Sequence, residues 1–223
     1  MQKSAILCVL ALLLLAVPMA LTDEGSTEEQ TEEKVEAQPV DTLAAMRHEI
    51  RNEANPIVTL ETEYGKMVIE LYHDVAPAHA DSFLARTNDG FYSEMKFHRI
   101  IKDFMIQSGN PFLVKKQSVG YYLPDETSDM RHKFGTLSMA SRGHPTTAQT
   151  QFFICLARNY KTQPLDGRYV IFGQVLKGFD VLHTLGQVEV KKSQAMRGEK
   201  SEPVEEIFLT KAYQSDAEGN PVE

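Results

Sequence analysis

Only two cysteines occur in the 223 residues, Cys8 and Cys155. Cys8 lies in an N-terminal apolar run, so one cysteine remains beyond it, and one cannot close an internal disulfide. A folded domain in this chain is therefore held by packing alone. Cys155 sits inside Phe152-Phe153-Ile154-Cys155-Leu156. In that apolar, strand-like run it reads as a buried small hydrophobe rather than a catalytic thiol. A basic stripe interleaved with aromatics is also missing, which argues against a nucleic-acid surface. The formal charge is -8, most of it local, so attraction to a polyanion is not expected. The seven histidines (48, 73, 79, 98, 132, 144 and 183) show no compact zinc-ligand spacing, and no cysteines can assist them. Neither metal nor cofactor is expected. Ser138-Met139-Ala140-Ser141 lacks nucleophile-elbow glycines, which argues against a serine hydrolase. Gly109-Asn110-Pro111 and Gly143-His144-Pro145 read as turns, not phosphate cradles. No internal repeat is found.

What is present suffices for one sizeable core: 42% hydrophobic residues, with eleven Phe and eight Tyr. Residues 1–21 stand apart. Lys3 precedes Ala5 to Leu21, 17 residues without a charge, which is short of the roughly 20 that a membrane span needs. A secretory signal is the better reading. Ala20 is a suitable small residue before a cut, but Pro18 stands where another small residue is wanted. An uncleaved anchor through residues 5–21 is the alternative. The first reading implies a secreted or periplasmic protein, the second one tethered to a membrane and facing the exterior or periplasm. Residues 22–40 form an acidic tether; Thr22 to Gln38 holds seven acidic residues, one Lys and no aromatic. Such a segment cannot bury enough apolar surface to offset the entropy of ordering.

Residues 41–55 change character. Leu43, Met46 and Ile50 recur at helical spacing, Asp41 or Thr42 can cap the start, and Asn55-Pro56 ends it. The expectation is a short amphipathic helix, either packed on the domain or pairing with a partner. From Ile57 the period becomes two. Val58, Leu60 and Thr62 alternate with polar neighbours, Tyr64-Gly65-Lys66 looks like a turn, and Met67 to Leu71 is extended again. A helix is expected over Ala78 to Thr87 and another over Gly178 to Leu185. Strands are expected over 95–100, 105–107, 135–140, 151–156, 170–175 and 206–211. Short strands with two helices in the body point to a sandwich or a barrel, and periodicity does not choose between them. Residues 214–223 read as a flexible tail.

The run Phe97 to Gln107 places an Arg, large apolar side chains and an amide close together. A strand over 96–100 would put Arg99 and Phe97 on one face, His98 and Ile100 on the other. Gln151 and Phe153 would share a face, with Phe152 and Ile154 turned into the core. These residue types suit rotation about an X–Pro bond, whose planar amide is held by a barrier of about 18–20 kcal/mol. No covalent step is needed. An apolar pocket of Phe104, Met105 and Phe153 could hold the proline ring. The Arg99 guanidinium could stabilise the nitrogen lone pair as resonance is lost, with Gln107 orienting it. Each residue also has an ordinary structural reading, as a core side chain, a salt-bridge partner or an edge amide.

At these residues the sequence resembles the cyclophilin family of peptidyl-prolyl isomerases. The matching blocks, in family order, are Phe91-Tyr92, Phe97 to Ile101, Phe104 to Gly109, Gly135 to Ala140, Thr150 to Ile154 and Val170 to Val175. They span residues 56–213. The resemblance implies an all-β fold: a closed eight-stranded antiparallel barrel capped by two α-helices, with the substrate groove on its outer face. It implies that Arg99 is the catalytic arginine, and that Phe104, Met105 and Phe153 wall the proline pocket. It further implies that Gln107 lies beside the arginine, that Ala140 and Gln151 meet the substrate backbone, and that Leu165 and Tyr169 border the site. The implied partners are X–Pro-containing polypeptides, for an enzyme that assists folding as a monomer. A proline-peptide binding module or chaperone with little turnover is the alternative. Two departures stand out. The loop Ser141 to Ala148 is nearer in length to bacterial members. Pro164 stands where many cyclophilins carry a Trp that contributes to binding cyclosporin, and the chain has no Trp at all. Weakened inhibition with catalysis retained is expected.

Overall fold

The structure is a computed structural model that describes residues 40–114 and 120–222. The signal or anchor over 1–21 and nearly all of the tether over 22–40 lie outside the described residues. The body is one antiparallel sheet. Its strands are β1 (Ile57–Thr62), β2 (Gly65–Leu71), β3 (Met95–Lys96), β4 (Arg99–Ile101), β5 (Met105–Ser108), β6 (Thr136–Met139), β7 (Phe152–Cys155), β8 (Ile171–Lys177) and β11 (Phe208–Ser215). Their spatial order is β3-β11-β1-β2-β8-β6-β7-β5-β4. A separate hairpin pairs β9 (Val190–Lys192) with β10 (Lys200–Pro203).

The two outermost strands of that order are neighbours in sequence. β3 pairs with β11 through Met95↔Leu209, and β4 pairs with β5 through Arg99↔Gln107. Between them Phe97 N–H donates to the Ile207 carbonyl at 2.9 Å, and His98 N–H to the Gln107 carbonyl at 3.1 Å. One chain segment thus hands over from one side of the sheet to the other and closes it. Counting β3 and β4 as one strand leaves the eight-stranded barrel, not a sandwich. Closure removes the free edges that would recruit other chains.

The hand-over corrects one expectation. Phe97 and Ile100 both enter the core, while His98 and Arg99 are half-buried, so strict alternation over 96–100 fails. The change of hydrogen-bonding partner at Phe97–His98 interrupts the pleat and shifts its phase.

Inside, α2 (Pro77–Asn88) buries Phe83 against Tyr92, Phe152 and Phe172 at ring separations of 4.5–5.4 Å. Pro77 starts this helix with the φ it requires. Ala76 supplies no side-chain cap. The carboxylate of Glu126 does so from a distant loop, accepting from the N–H groups of Ala78 (3.0 Å) and His79 (3.1 Å). A negative charge there also suits the helix dipole. α3 (Phe179–Gln187) buries Phe179, Leu182 and Leu185. It begins at Gly178, where φ is +89° and a Cβ would stand 2.1 Å from the Lys66 carbonyl oxygen, so only glycine fits.

The helix expected over 41–55 is realised only as α1 (Val40–Ala45). Leu43 is buried in the core cluster and Met46 packs against it, so this segment docks on its own domain. Ile50, the third residue of the expected stripe, is exposed. Tertiary partners explain the break: His48 N–H donates to the Leu176 carbonyl at 3.0 Å, and Glu70 takes the donors that follow. Its carboxylate is fully buried and accepts from the N–H groups of Arg51 (2.9 Å) and Asn52 (3.0 Å) and from the Asn55 amide (2.8 Å). Those backbone donors would otherwise close helical turns, and leaving a buried carboxylate unpaired costs more than the helix gains. The C-terminal tail is also structured. β11 runs to Ser215, and Val222 N–H returns to the Gln214 carbonyl at 3.2 Å across a turn fixed by Asp216 and Asn220.

Candidate active site

β4, β5 and β7 lie side by side, and their register decides what meets on the outer face of the barrel. Arg99 is opposite Gln107, Gln107 opposite Phe153, and Met105 opposite both Ile101 and Cys155. Residues opposite one another, or two apart on one strand, share a face. Arg99, Met105, Gln107, Gln151 and Phe153 therefore converge from runs that are distant in sequence.

Met105, Phe153 and Cys155 form an apolar cluster separate from the barrel core. Ile101, Phe104, Ala140, Leu165 and Tyr169 pack around it, only partly buried. The Tyr169 ring meets Phe153 edge-on at 5.8 Å. Burial pushes the Cys155 thiol up to about 12, so it stays protonated and unreactive.

Beside this patch the polar groups form a chain. Arg99 Nη1 lies 3.4 Å from Gln107 Oε1 and 4.0 Å from the Met105 sulfur. Gln107 Nε2 donates to Gln151 Oε1 at 3.1 Å. Gln107 and Gln151 also line a groove of about 620 Å³ that leads away from the apolar patch, past Ala140 and Ser141 towards Phe112 and Met196. His98 lines the same groove. Burial, with the Arg99 charge adding to it, pushes the His98 imidazole down to about 4, so it is neutral near pH 7.

Behind Phe153 lies a network that runs from the interior to the surface. The His132 ring stacks on Phe153 at 5.9 Å. Its Nδ1 is 2.9 Å from Asp166 Oδ1 and its Nε2 is 3.1 Å from Ser138 Oγ. Arg158 donates to the other oxygen of Asp166 at 2.8 Å. Ser, His and Asp in this order form the constellation of a hydrolase. Here Ser138 and His132 are fully buried, and the serine hydroxyl donates to the Val170 carbonyl at 2.9 Å. No substrate can reach it. The network instead fixes the Phe153 ring and, through Asp166, the turn Gln163–Leu165 that presents Leu165.

A family model described as cyclophilin type peptidyl-prolyl cis-trans isomerase/CLD matches residues 57–213. The chain belongs to this cyclophilin family. Mouse peptidyl-prolyl cis-trans isomerase-like 1 is 39% identical over 166 residues, covering 72% of this chain and 93% of the relative. A peptidyl-prolyl cis-trans isomerase of Acinetobacter baylyi is 36% identical over 139 residues, 60% of this chain and 74% of the relative. Among solved structures, a cyclophilin type isomerase of Cryptosporidium parvum superposes with a TM-score of 0.64 at 32% identity, covering 73% of this chain and 98% of that one. A second structure of it, in the presence of the dipeptide Ala-Pro, gives 0.62 at 32% identity, over 72% of this chain and 99% of that one.

Within this cyclophilin domain every residue singled out from sequence lies at one place. Arg99, Gln107 and Gln151 form the polar chain, Met105, Phe153, Phe104, Leu165 and Tyr169 form the patch, and Ala140 touches both patch and groove. The sequence reading missed Glu199. Its carboxylate holds Arg99 through two bonds, from Nε at 2.7 Å and from Nη2 at 2.9 Å. Gln107, expected to orient the guanidinium, is the more distant partner. Glu199 precedes β10 in a lysine-rich hairpin with no apolar alternation strong enough to predict, and the alternation is the only signal such a strand carries.

Proposed function

We propose that this cyclophilin isomerises X–Pro bonds by non-covalent stabilisation of the twisted amide, with Arg99 as the catalytic residue. One observation carries this: the Nη1 end of the Arg99 guanidinium stands beside Gln107 at the margin of the Met105–Phe153 patch. A proline ring seated on that patch completes an apolar cluster whose rim is otherwise half open. The guanidinium then lies within reach of the prolyl nitrogen. As the amide twists, the nitrogen lone pair localises, and a charged donor bonds it more strongly than the planar form. Leu165 and Tyr169 border the ring. Gln107, Gln151 and Ala140 meet the backbone of the preceding residues, which continue into the groove. No acid or base is required, in keeping with the neutral His98.

The uncatalysed step takes tens of seconds, slow enough to limit folding. We therefore read the substrates as exposed X–Pro bonds of incompletely folded chains. Lys3 and the uncharged run Ala5 to Leu21 support a secreted or periplasmic location, with residues 5–21 serving as a tether if uncleaved. Intact mass from the native host distinguishes the two, and sedimentation tests the expected monomer. The catalytic proposal is tested by exchange NMR on an Ala-Pro peptide. Acceleration by the native chain that collapses in Arg99→Ala, with folding intact, supports it. No acceleration by the native chain would hand the groove to a binding role.

A further inference from the structure

A guanidinium carries five N–H donors, and in Arg99 two of them grip a single carboxylate. Nε–H and one Nη2–H go to the two oxygens of Glu199, while Nη1 faces Gln107 and the Met105 sulfur. The pair is shielded, with side-chain exposures of 19% for Arg99 and 34% for Glu199. Two parallel charged bonds fix a guanidinium plane as one bond cannot. Glu199 is itself fixed. Its N–H donates to the Met196 carbonyl (3.1 Å), its carbonyl accepts from Ser193 N–H (2.8 Å), and Gly198 N–H closes on the Ser193 carbonyl (2.8 Å). β10, which follows it, lies against β4, which carries Arg99. The Arg99 bonds hold the Glu199 carboxyl below the usual range against the opposing effect of burial.

We propose that Glu199 is the positioning residue for Arg99, gripping one edge of the guanidinium so that Nη1 is presented to the prolyl nitrogen. This rests on the reading of Arg99 as the catalytic residue. A free arginine on a barrel face samples many rotamers, and each must be abandoned when the transition state forms. An arginine clamped beforehand reorganises little at that moment. The clamp takes the Nε–Nη2 edge and leaves the Nη1 end, so it does not compete with substrate for the same donors.

The test uses the full chain with Glu199→Ala, Glu199→Gln, Glu199→Asp, Arg99→Ala and the double variant Arg99→Ala/Glu199→Ala. Exchange NMR on an Ala-Pro peptide gives kcat and KM. The expected result for Glu199→Ala is a loss of about ten- to a hundredfold in kcat with KM little changed. Glu199→Gln, which keeps one acceptor, falls between, and Glu199→Asp recovers part of the loss. In the Arg99→Ala background removing Glu199 has no further effect. Unchanged turnover in Glu199→Ala overturns the proposal. So does faster turnover, which would make Glu199 an inhibitory latch, or an equal loss with and without Arg99, which would make its role structural. A second readout does not depend on activity. The Nε–H resonance of Arg99 is expected to exchange slowly in the native chain and to disappear in Glu199→Ala. If the native chain fails to isomerise the peptide, the functional reading fails, while this resonance still decides whether the clamp exists.

Discussion

β7 carries two apolar clusters back to back. Phe152 and Ile154 face the barrel interior, and Phe153 and Cys155 face outward. The interior cluster is complete, since Phe152, Phe83 and Phe172 are wholly buried among one another. The outer cluster is not. Met105 and Phe153 are buried, but Phe104, Leu165 and Tyr169 around them remain partly open. Equal chemistry on the two faces of one strand thus gives a closed cluster on one side and a partly open one on the other, the surface on which the proposed proline ring would sit. What separates them is whether the fold itself supplies the last neighbours.

Phe152→Ala should strike the complete cluster hardest, costing about 3–5 kcal/mol of stability in chemical denaturation. A cost no larger than that of Phe153→Ala would erase the distinction between the two faces. Arg99→Ala should do the reverse. It should lower kcat/KM by about 10²–10³, roughly 3–4 kcal/mol of transition-state stabilisation, while the denaturation midpoint barely moves. A large fall in stability would assign Arg99 to the architecture instead.

His98 stands at the boundary between the two regions, and pH tests it. Its imidazole is held down at about 4 in the folded protein, against 6.5 for an unperturbed one. The unfolded chain therefore binds this proton first as pH falls. Stability should be full above about 6.5 and decline towards 4, His98 contributing on the order of 3 kcal/mol. His98→Asn should flatten part of the decline in thermal melts at stepped pH. His48, His79 and His132 are lowered in the same direction and contribute to the rest. An unchanged profile would mean that His98 is not held neutral.

Phe153→Ala is expected to raise KM by about tenfold, from the apolar area lost beneath the proline ring, with a smaller change in kcat. A change confined to kcat would detach the patch from ring binding. The smallest effect is expected at Pro164, exposed in the turn before Leu165. Pro164→Trp should strengthen cyclosporin inhibition by about tenfold with turnover unchanged. A sub-micromolar inhibition constant for the native chain would show that this wall was never deficient.

Much of the site was legible because its residues lie in strands with clear alternation. The run Gln151 to Ile154 announces its two faces, and the family blocks around Arg99 and Phe153 identify the partner strands. The first helix ends early for a reason that periodicity cannot convey. Leu43, Met46 and Ile50 have helical spacing, yet the buried Glu70 claims the backbone donors that would continue the helix. The phase slip at Phe97–His98 was equally hidden, because it arises from a change of hydrogen-bonding partner rather than from the side chains themselves.

The sequence alone determined the barrel strands apart from the break between β3 and β4, and the two main helices, since these follow from the local period of apolar side chains and from turn-forming residues; the β9–β10 hairpin and the facing of Phe97 did not follow from it. Tertiary structure decided the partners of three carboxylates. Glu70 clasps a segment 18 and 19 residues away, Glu126 caps a helix start 48 residues away, and Glu199 clamps an arginine 100 residues away. A glutamate in a polar stretch looks alike whether it ends in solvent or on a buried donor. Only the folded chain brings the donor to it, and desolvation then makes that single contact decisive.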